Sequence, residues 1–305
     1  MTYYDDRLRI HHTQEWHDLY QDWVNDDLAK FFDHYLLGIE NDWAATPAVR
    51  HSLLGFNRDS VVNRADTSYP PDYVKHQTFY LDGSRRKLTS SLVGEGQGAT
   101  VSYTSDSWDD QGAHFAYTFP TYTELIGFSQ VKLFMSCPEA SEMDVYVVIR
   151  KLDADGKPLL HVNVPLEDLP AGTSAQDIPN TNIFKYLGPS GRLRASHREL
   201  GSDPTLIAEQ TEMLRPATAW HPHDKEDAAV VAVVPGDVVC LDIPLWPSGM
   251  IFEAGESMRL DVMGHEPLLP EFMTLDRVPK NLNRGKHFVH TGREYPSSVT
   301  VSLNY

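Results

Sequence analysis

The sequence predicts a mainly β fold, a two-sheet sandwich or jelly roll, and three observations carry that expectation. The stretch from Gly127 to Gly156 holds two apolar runs, Val131 to Ser136 and Val145 to Arg150, each strand-length and rich in β-branched or aromatic residues. A core strand pair of this kind buries both faces only if further strands cover it. About ten strand-like segments with turn signals between them do recur along the chain, against one strong helix, which favours a sandwich over a barrel with covering helices.

Taken in order, the amino terminus carries RIHHTQEWHDLY, a short strand-like piece followed by a Trp-bearing loop. Residues 22–38 form the clear helix, because Leu28, Phe31, Phe32, Tyr35 and Leu36 fall at helical spacing on one face. Asp22 or Asn25 suits its cap, Asp26 and Asp27 its positive end, and Gly38 its stop. From Pro47 the strand signals begin: VRHSLLGF, QTFYLDG, KLTSSLVG, TVSYTS and HFAYTF. In the last of these Phe115, Tyr117 and Phe119 alternate onto one face. The central pair follows, and Asp153-Ala-Asp155-Gly156 supplies the side-chain hydrogen bonds and the positive φ that turn a strand back. Downstream come AAVVAVV, DVVCLDIPLW, SMRLDVMGH and SVTVSLNY. Met258, Leu260 and Val262 face one way in their strand, as do Val299, Val301, Leu303 and Tyr305 in theirs. Residues 163–230 are rich in Pro, Gly, Ser and charge, with a short helix expected near Thr205 to Leu214, and read as a long insertion between strands.

At 305 residues the chain fits one large domain with an appendage as well as two domains, and 41% hydrophobic residues suffice for a full core. The net charge of −17 argues against nucleic acid or an anionic membrane as partner, since phosphates would be repelled at long range. Two cysteines, Cys137 and Cys240, make neither a disulfide framework nor a zinc pattern. The start, MTYYDDRLRIHH, has no apolar signal core, and no run of 18 apolar residues occurs, so a cytoplasmic setting is expected.

Motifs that carry chemistry are sparse. A serine nucleophile elbow needs G-x-S-x-G, and the sequence has none; Gly188-Pro-Ser-Gly191 has the wrong spacing and reads as a turn. Gly94-Glu-Gly-Gln-Gly98 lacks the lysine and helix of a phosphate loop. Asp153 and Asp155 lack the glutamate of a calcium loop and read as a hairpin turn. His221-Pro-His223-Asp224 has three potential ligands, but Pro222 splays them, and neither a metal nor a cofactor is expected. His11 and His12, at a strand end just before a loop and a long helix, stand where the last member of a Ser…Asp…His triad lies in an α/β-hydrolase.

A resemblance then covers nearly the whole chain. RIHHTQEWHDLY with DDLAKFFDHYLLGIENDWAATPAVR resembles the end of the hydrolase domain, and its exit into the next domain, in the cocaine esterase (CocE/NonD) and X-Pro dipeptidyl-peptidase group of serine acyl hydrolases. MDVYVVIRKLDADGK, GRLRASHREL, IPLWPSGMIFEAGESMRLDV and NRGKHFVHTGREYPSSV resemble, in order, landmarks of that group's carboxy-terminal jelly roll. The resemblance implies a galactose-binding-like jelly roll over residues 46–305, preceded by a helical remnant of an α/β-hydrolase over residues 1–45. It implies a non-catalytic domain that walls a substrate cleft, with the triad histidine at His11 and His12 as the adjacent alternative. The family's serine elbow and triad aspartate have no counterpart here, and a histidine without them has nothing to activate.

The leading functional expectation is therefore a truncated hydrolase or its separated module, completed by an α/β-hydrolase domain in cis or in trans, or self-associating. A second is a free-standing carbohydrate- or ligand-binding module with Trp108, Trp220 and Trp246 as platform candidates, although Trp246 is expected in the core. A third is an unfamiliar active site around Arg194, His197 and Glu199, residues that equally fit an ion-pair network anchoring the insertion.

Overall fold

The computed structural model of the chain describes residues 22–92, 94, 98–109, 111–163, 170–180, 184–199, 230–268 and 281–305. The expected helix near Thr205 to Leu214 lies outside these. Two compact units emerge; among the described residues one holds 22–72, 160–163, 170–180, 184–186 and 268, and the other 73–92, 94, 98–109, 111–159, 187–199, 230–267 and 281–305.

In the first unit, helix α1 runs Asp22–Leu36, two residues short of the expected Gly38. Gly38 takes φ +67° just past its end, and the Asp33 carbonyl accepts from both the Leu37 N–H at 3.2 Å and the Ile39 N–H at 3.0 Å, which closes the helix. No α1 residue is buried. A 3-10 turn, Asp42–Ala45, follows, capped by Asn41, whose Oδ1 accepts from Trp43 N at 3.0 Å. Strands β1 (Val49–Leu53) and β2 (Val61–Asp66) pair antiparallel, Val49 against Asp66, and Arg50 reaches back to Asp27 of α1 at 2.6 Å. Two short strands, β9 (His161–Val162) and β10 (Lys185–Tyr186), also pair antiparallel.

The second unit is the sandwich. In chain order its strands are β3 (Lys75–Asp82), β4 (Lys87–Thr89), β5 (Thr100–Thr104), β6 (Ala113–Thr118), β7 (Thr123–Ser136), β8 (Asp144–Leu152), β11 (Ser190–Arg194), β12 (Val239–Phe252), β13 (Ser257–Met263), β14 (Lys286–His290) and β15 (Ser298–Asn304). One layer runs β11-β8-β13-β6. The other runs β4-β3-β15-β7-β14-β5, with β12 also paired to β7, and a single parallel pairing, Lys87 with Ala116, joins β4 to β6. The two central strands thus belong to different layers: β7 pairs with β12, β14 and β15, and β8 with β11 and β13. That corrects the expectation of a core pair. Each strand carries a full apolar face because each is covered from the opposite layer.

The core is built from alternation. Phe115 and Phe119 of the β6 region, Val145, Val147 and Ile149 of β8, Leu260 and Val262 of β13, and Val299, Val301 and Leu303 of β15 are all fully buried. Tyr305 departs from its expected face and is 60% exposed, since β15 ends at Asn304. The next inward position of β8 is a lysine, Lys151, which keeps its charge inside by meeting Glu256 at 2.8 Å. Beyond β8 the chain reverses as expected: Asp153 N–H donates to the Lys157 carbonyl, and Gly156 takes φ +81°. Residues 230–234, read as a strand, belong to none; there the Val231 N–H donates to the Ser196 carbonyl and Val233 packs inward alone. Gly191 lets β11 lie on β12, because a Cβ there would stand 2.2 Å from the Pro244 carbonyl oxygen. No helix among the described residues is long and apolar enough to cross a membrane.

Candidate functional site

His11, His12, Trp220 and the His221-Pro-His223-Asp224 run lie outside the described residues, and so do Glu95, Gly96 and Gln97 of the glycine-rich stretch. Of the remaining expected site residues, Arg194 and His197 come together on β11 and the turn after it, at the end of the β11-β8 layer. There Asp144, Tyr146, Arg192, Arg194 and His197 line an open groove of about 370 Å³. Cross-strand register explains the gathering, since Arg194 stands opposite Asp144 and Arg192 opposite Tyr146, which puts all four on one face.

The ion-pair reading of this segment is the one the geometry matches. Arg194 grips Asp144 with two parallel bonds, Nε to Oδ1 at 2.7 Å and Nη2 to Oδ2 at 3.1 Å. Burial alone would raise the Asp144 carboxyl, but the Arg194 fork and the Leu282 N–H outweigh it and hold the group below its usual range. Ser196 is tied at both ends: its N–H donates to Glu142 Oε1 at 3.0 Å, and its Oγ meets His197 Nδ1 at 3.0 Å. Glu199 stands apart, with Oε1 at 3.9 Å from Arg198 Nε.

Beneath this groove Asn283 acts as a hub that sequence reasoning missed. It has no exposed surface; its Oδ1 accepts from Asp144 N at 2.7 Å, and its Nδ2 donates to the carbonyls of Asp144 at 2.9 Å and Gly264 at 2.8 Å. One amide thereby joins β8, the end of β13 and the chain entering β14. The available signal was the polar Asn281-Leu-Asn283 just ahead of a strand, which carries no mark of burial by itself.

A second, larger groove of about 580 Å³ is lined by Gly98, Thr100, His290, Thr291, Arg293 and Tyr295. His290 Nε2 meets Ser136 Oγ at 2.8 Å, and Nδ1 faces Thr100 Oγ1 at 3.4 Å. Burial lowers the His290 pKa, so the ring is neutral near pH 7. A serine and a neutral histidine are two parts of an activated nucleophile, but the second ring nitrogen meets a hydroxyl where an orienting carboxylate is needed. The converse holds at His114, whose Nδ1 is set by Asp261 at 2.9 Å but whose ring meets no serine hydroxyl. A complete serine, histidine and carboxylate array is therefore not assembled at either place.

The other expectations resolve simply. Asp153 Oδ1 accepts from the N–H groups of Asp155 and Lys157, which makes it a turn residue. Among the described residues no cluster of three or more His, Cys, Asp or Glu suits a metal. Trp108 packs its ring 5.1 Å from that of His265. Trp246, expected in the core, is 60% exposed, because Leu241, Ile243 and Leu245 take the inward positions of β12 and leave Trp246 on the outward parity, just where a bulge falls between Leu245, opposite Ser129, and Ser248, opposite Gly127. Trp246 and Pro247 thus oppose the single Phe128 of β7, and this one extra residue moves the inward set of β12 from Leu241, Ile243 and Leu245 to Ser248 and Met250.

Residues 41–300 match the model of a protein family described as the X-Pro dipeptidyl-peptidase C-terminal non-catalytic domain. Among solved structures, a CocE/NonD family hydrolase from Staphylococcus aureus is similar at 25% identity and TM-score 0.75, over 95% of this chain and 47% of that one. An aminopeptidase from a marine sediment archaeon, Thaumarchaeota archaeon, shares the fold at 16% identity and TM-score 0.53, over 90% of this chain and 43% of its own. An α-amino acid ester hydrolase does so at 14% identity and TM-score 0.54, over 91% and 44%. The chain spans about half the length of these hydrolases. No curated protein matches it.

Proposed function

Because the chain belongs to the family of X-Pro dipeptidyl-peptidase C-terminal non-catalytic domains, we propose that it serves as the non-catalytic sandwich of a serine acyl hydrolase, of esterase or X-Pro dipeptidyl-peptidase type. In this reading it walls a substrate cleft whose nucleophile belongs to an α/β-hydrolase domain. The observation that carries the reading is the apolar face of α1. Leu28, Phe31, Phe32, Tyr35 and Leu36, the face expected from the sequence, are between 36% and 73% exposed, and Trp23, Leu37 and Ile39 extend it. A contiguous aromatic and aliphatic face of this kind marks a surface that a partner covers. It stands immediately ahead of the matched residues, where the resemblance places the hydrolase domain. His11 then supplies the triad imidazole, with His12 beside it, and the partner supplies serine and carboxylate.

The test is association. The chain is mixed with, or fused to, the α/β-hydrolase part of a CocE/NonD relative, and complex formation is followed by light scattering on a sizing column. A complex that Phe32→Asp with Leu36→Asp abolishes supports the reading. Equal binding by the double variant, or self-association with no binding to the hydrolase part, refutes it.

A second reading, a carbohydrate-binding module, is favoured by one observation, the exposed indole of Trp246 on its bulge. A flat exposed ring of this type stacks on sugar faces. Calorimetry against a panel of oligosaccharides, with Trp246→Ala as control, decides it: saturable heat lost in the variant supports a lectin role, and no heat removes it.

A further inference from the structure

The outward face of the β6-β13-β8 layer holds four ionisable side chains that neither groove nor family reading uses. Register sets Arg150 of β8 opposite Arg259 of β13, and His114 of β6 opposite Asp261 of β13. Two like charges paired across strands repel, so something must offset them. Asp261, 1% exposed, does so only for one: it takes Arg259 Nε at 2.6 Å and Nη2 at 2.8 Å, and His114 Nδ1 at 2.9 Å. Its distance to Arg150 Nη1 is 3.9 Å, beyond a hydrogen bond. The Arg150 guanidinium makes no hydrogen bond, and its Nε is buried without a partner.

A guanidinium cannot shed its proton to escape such a place. Burial lowers the Arg150 pKa, and Arg259 adds to that against the pull of Asp261. The cluster therefore holds two fixed positive charges to one negative, an inversion of the balance of a chain with net charge −17. The side chains of Arg150, Arg259 and His114 keep 20%, 17% and 33% of their surface open, enough for a few ligand atoms and too little for a flat protein surface.

We propose that Arg150, backed by Arg259 and His114, forms a binding site for a small oxyanion, a carboxylate or a phosphate. Arg150 presents its planar fork to two oxygens, the geometry that guanidinium shares with carboxylate and phosphate. Asp261 fixes Arg259 and the histidine ring in place behind it, so the site is ordered before the anion arrives.

The experiment uses the full chain at constant ionic strength, with thermal melting and calorimetry against sodium phosphate and sodium acetate in separate arms and sodium chloride as reference. Phosphate or acetate is expected to stabilise the protein saturably, and the arm with the tighter response assigns the anion. Arg150→Met should weaken that response at least tenfold. Without anion it should melt no lower than wild type, because it removes a charge that no hydrogen bond holds and that stands against Arg259. Lys132→Met, on a different face beside Asp242, should leave the response unchanged. If Arg150→Met fails to fold, Arg150→Lys keeps the charge, loses the fork, and should weaken the response severalfold. Shifts that follow chloride, or that Arg150→Met and Arg150→Lys leave intact, overturn the proposal.

Discussion

Replacing Asn283 by leucine keeps its volume and removes its hydrogen bonds, which isolates what the hub contributes. Three short bonds vanish at a site with no solvent access. The Asp144 N–H is then stranded, at a cost of roughly 1–3 kcal/mol, and the two carbonyls, whose second lone pairs soften the loss, add about 1 kcal/mol each. The sum is about 4 kcal/mol. A sandwich of this size loses about 2–4 °C per kcal/mol, so the melting temperature should fall by about 8–16 °C. Asn283→Asp gives the sharper signature. It keeps the acceptor for Asp144 N but sets a carboxylate oxygen against two carbonyl oxygens, so near neutral pH it should be worse than leucine. Its carboxyl would be raised in the fold, so its deficit should shrink as pH falls and the acid regains a donor. Guanidinium unfolding followed by tryptophan fluorescence at pH 7 and pH 5 measures all three proteins. Both variants within about 1 kcal/mol of wild type would refute the assignment of Asn283 as a hub.

Further predictions concern acid and the core. His287 is fully buried, and burial lowers its pKa to about 4 against the opposing pull of Asp144 and Asp106. The unfolded chain then binds the extra proton first, so stability should fall by about 3 kcal/mol as pH drops from 6.5 to 4, and His287→Gln should flatten that limb of the stability curve. Asp144 acts below this window: its folded pKa is depressed, so its contribution is present above the ordinary carboxyl range and is lost as pH falls through the folded value. Asp144→Asn should be less stable than wild type at neutral pH and insensitive there to further acid, as read by unfolding at pH 2–4. Lys151→Ala should cost about 3–5 kcal/mol by removing the ion partner of a nearly buried Glu256, while Lys151→Met with Glu256→Gln should recover most of that loss, as a double-mutant cycle will show.

The β architecture was legible because alternation survives in single strands: Phe115 with Phe119, and Val299 with Val301 and Leu303, needed only a period of two to be placed inward. Which strands pair was not legible, since β7 and β8 are neighbours in sequence yet lie in opposite layers, and apolar runs do not encode their partners. Trp246 was misplaced because its apolar bulk outweighed its parity, since Leu241, Ile243 and Leu245 take the inward positions of β12 and leave it outward. The face of α1 was legible as a face from its spacing, and its exposure was to be expected only through the resemblance to a hydrolase whose core would cover it, because the same periodicity serves an internal core and a docking surface alike. At the candidate site, Arg194 could be assigned to an ion pair by residue type. Its partner, Asp144, lies 50 positions away, and only the β8-β11 register brings the two together.

The most direct test of the central claim is covalent labelling with a serine-directed fluorophosphonate, because it reports an activated nucleophile whatever the substrate. Activation requires a base in reach, an oriented imidazole and an oxyanion hole together. The account predicts no labelling of the chain alone, and labelling of the partner's serine when the α/β-hydrolase part of a CocE/NonD relative is added in trans or as a fusion. His11→Ala should abolish that restored reaction and His223→Ala should not. Stoichiometric labelling of the unaided chain at one serine, lost when that serine is replaced, would contradict it.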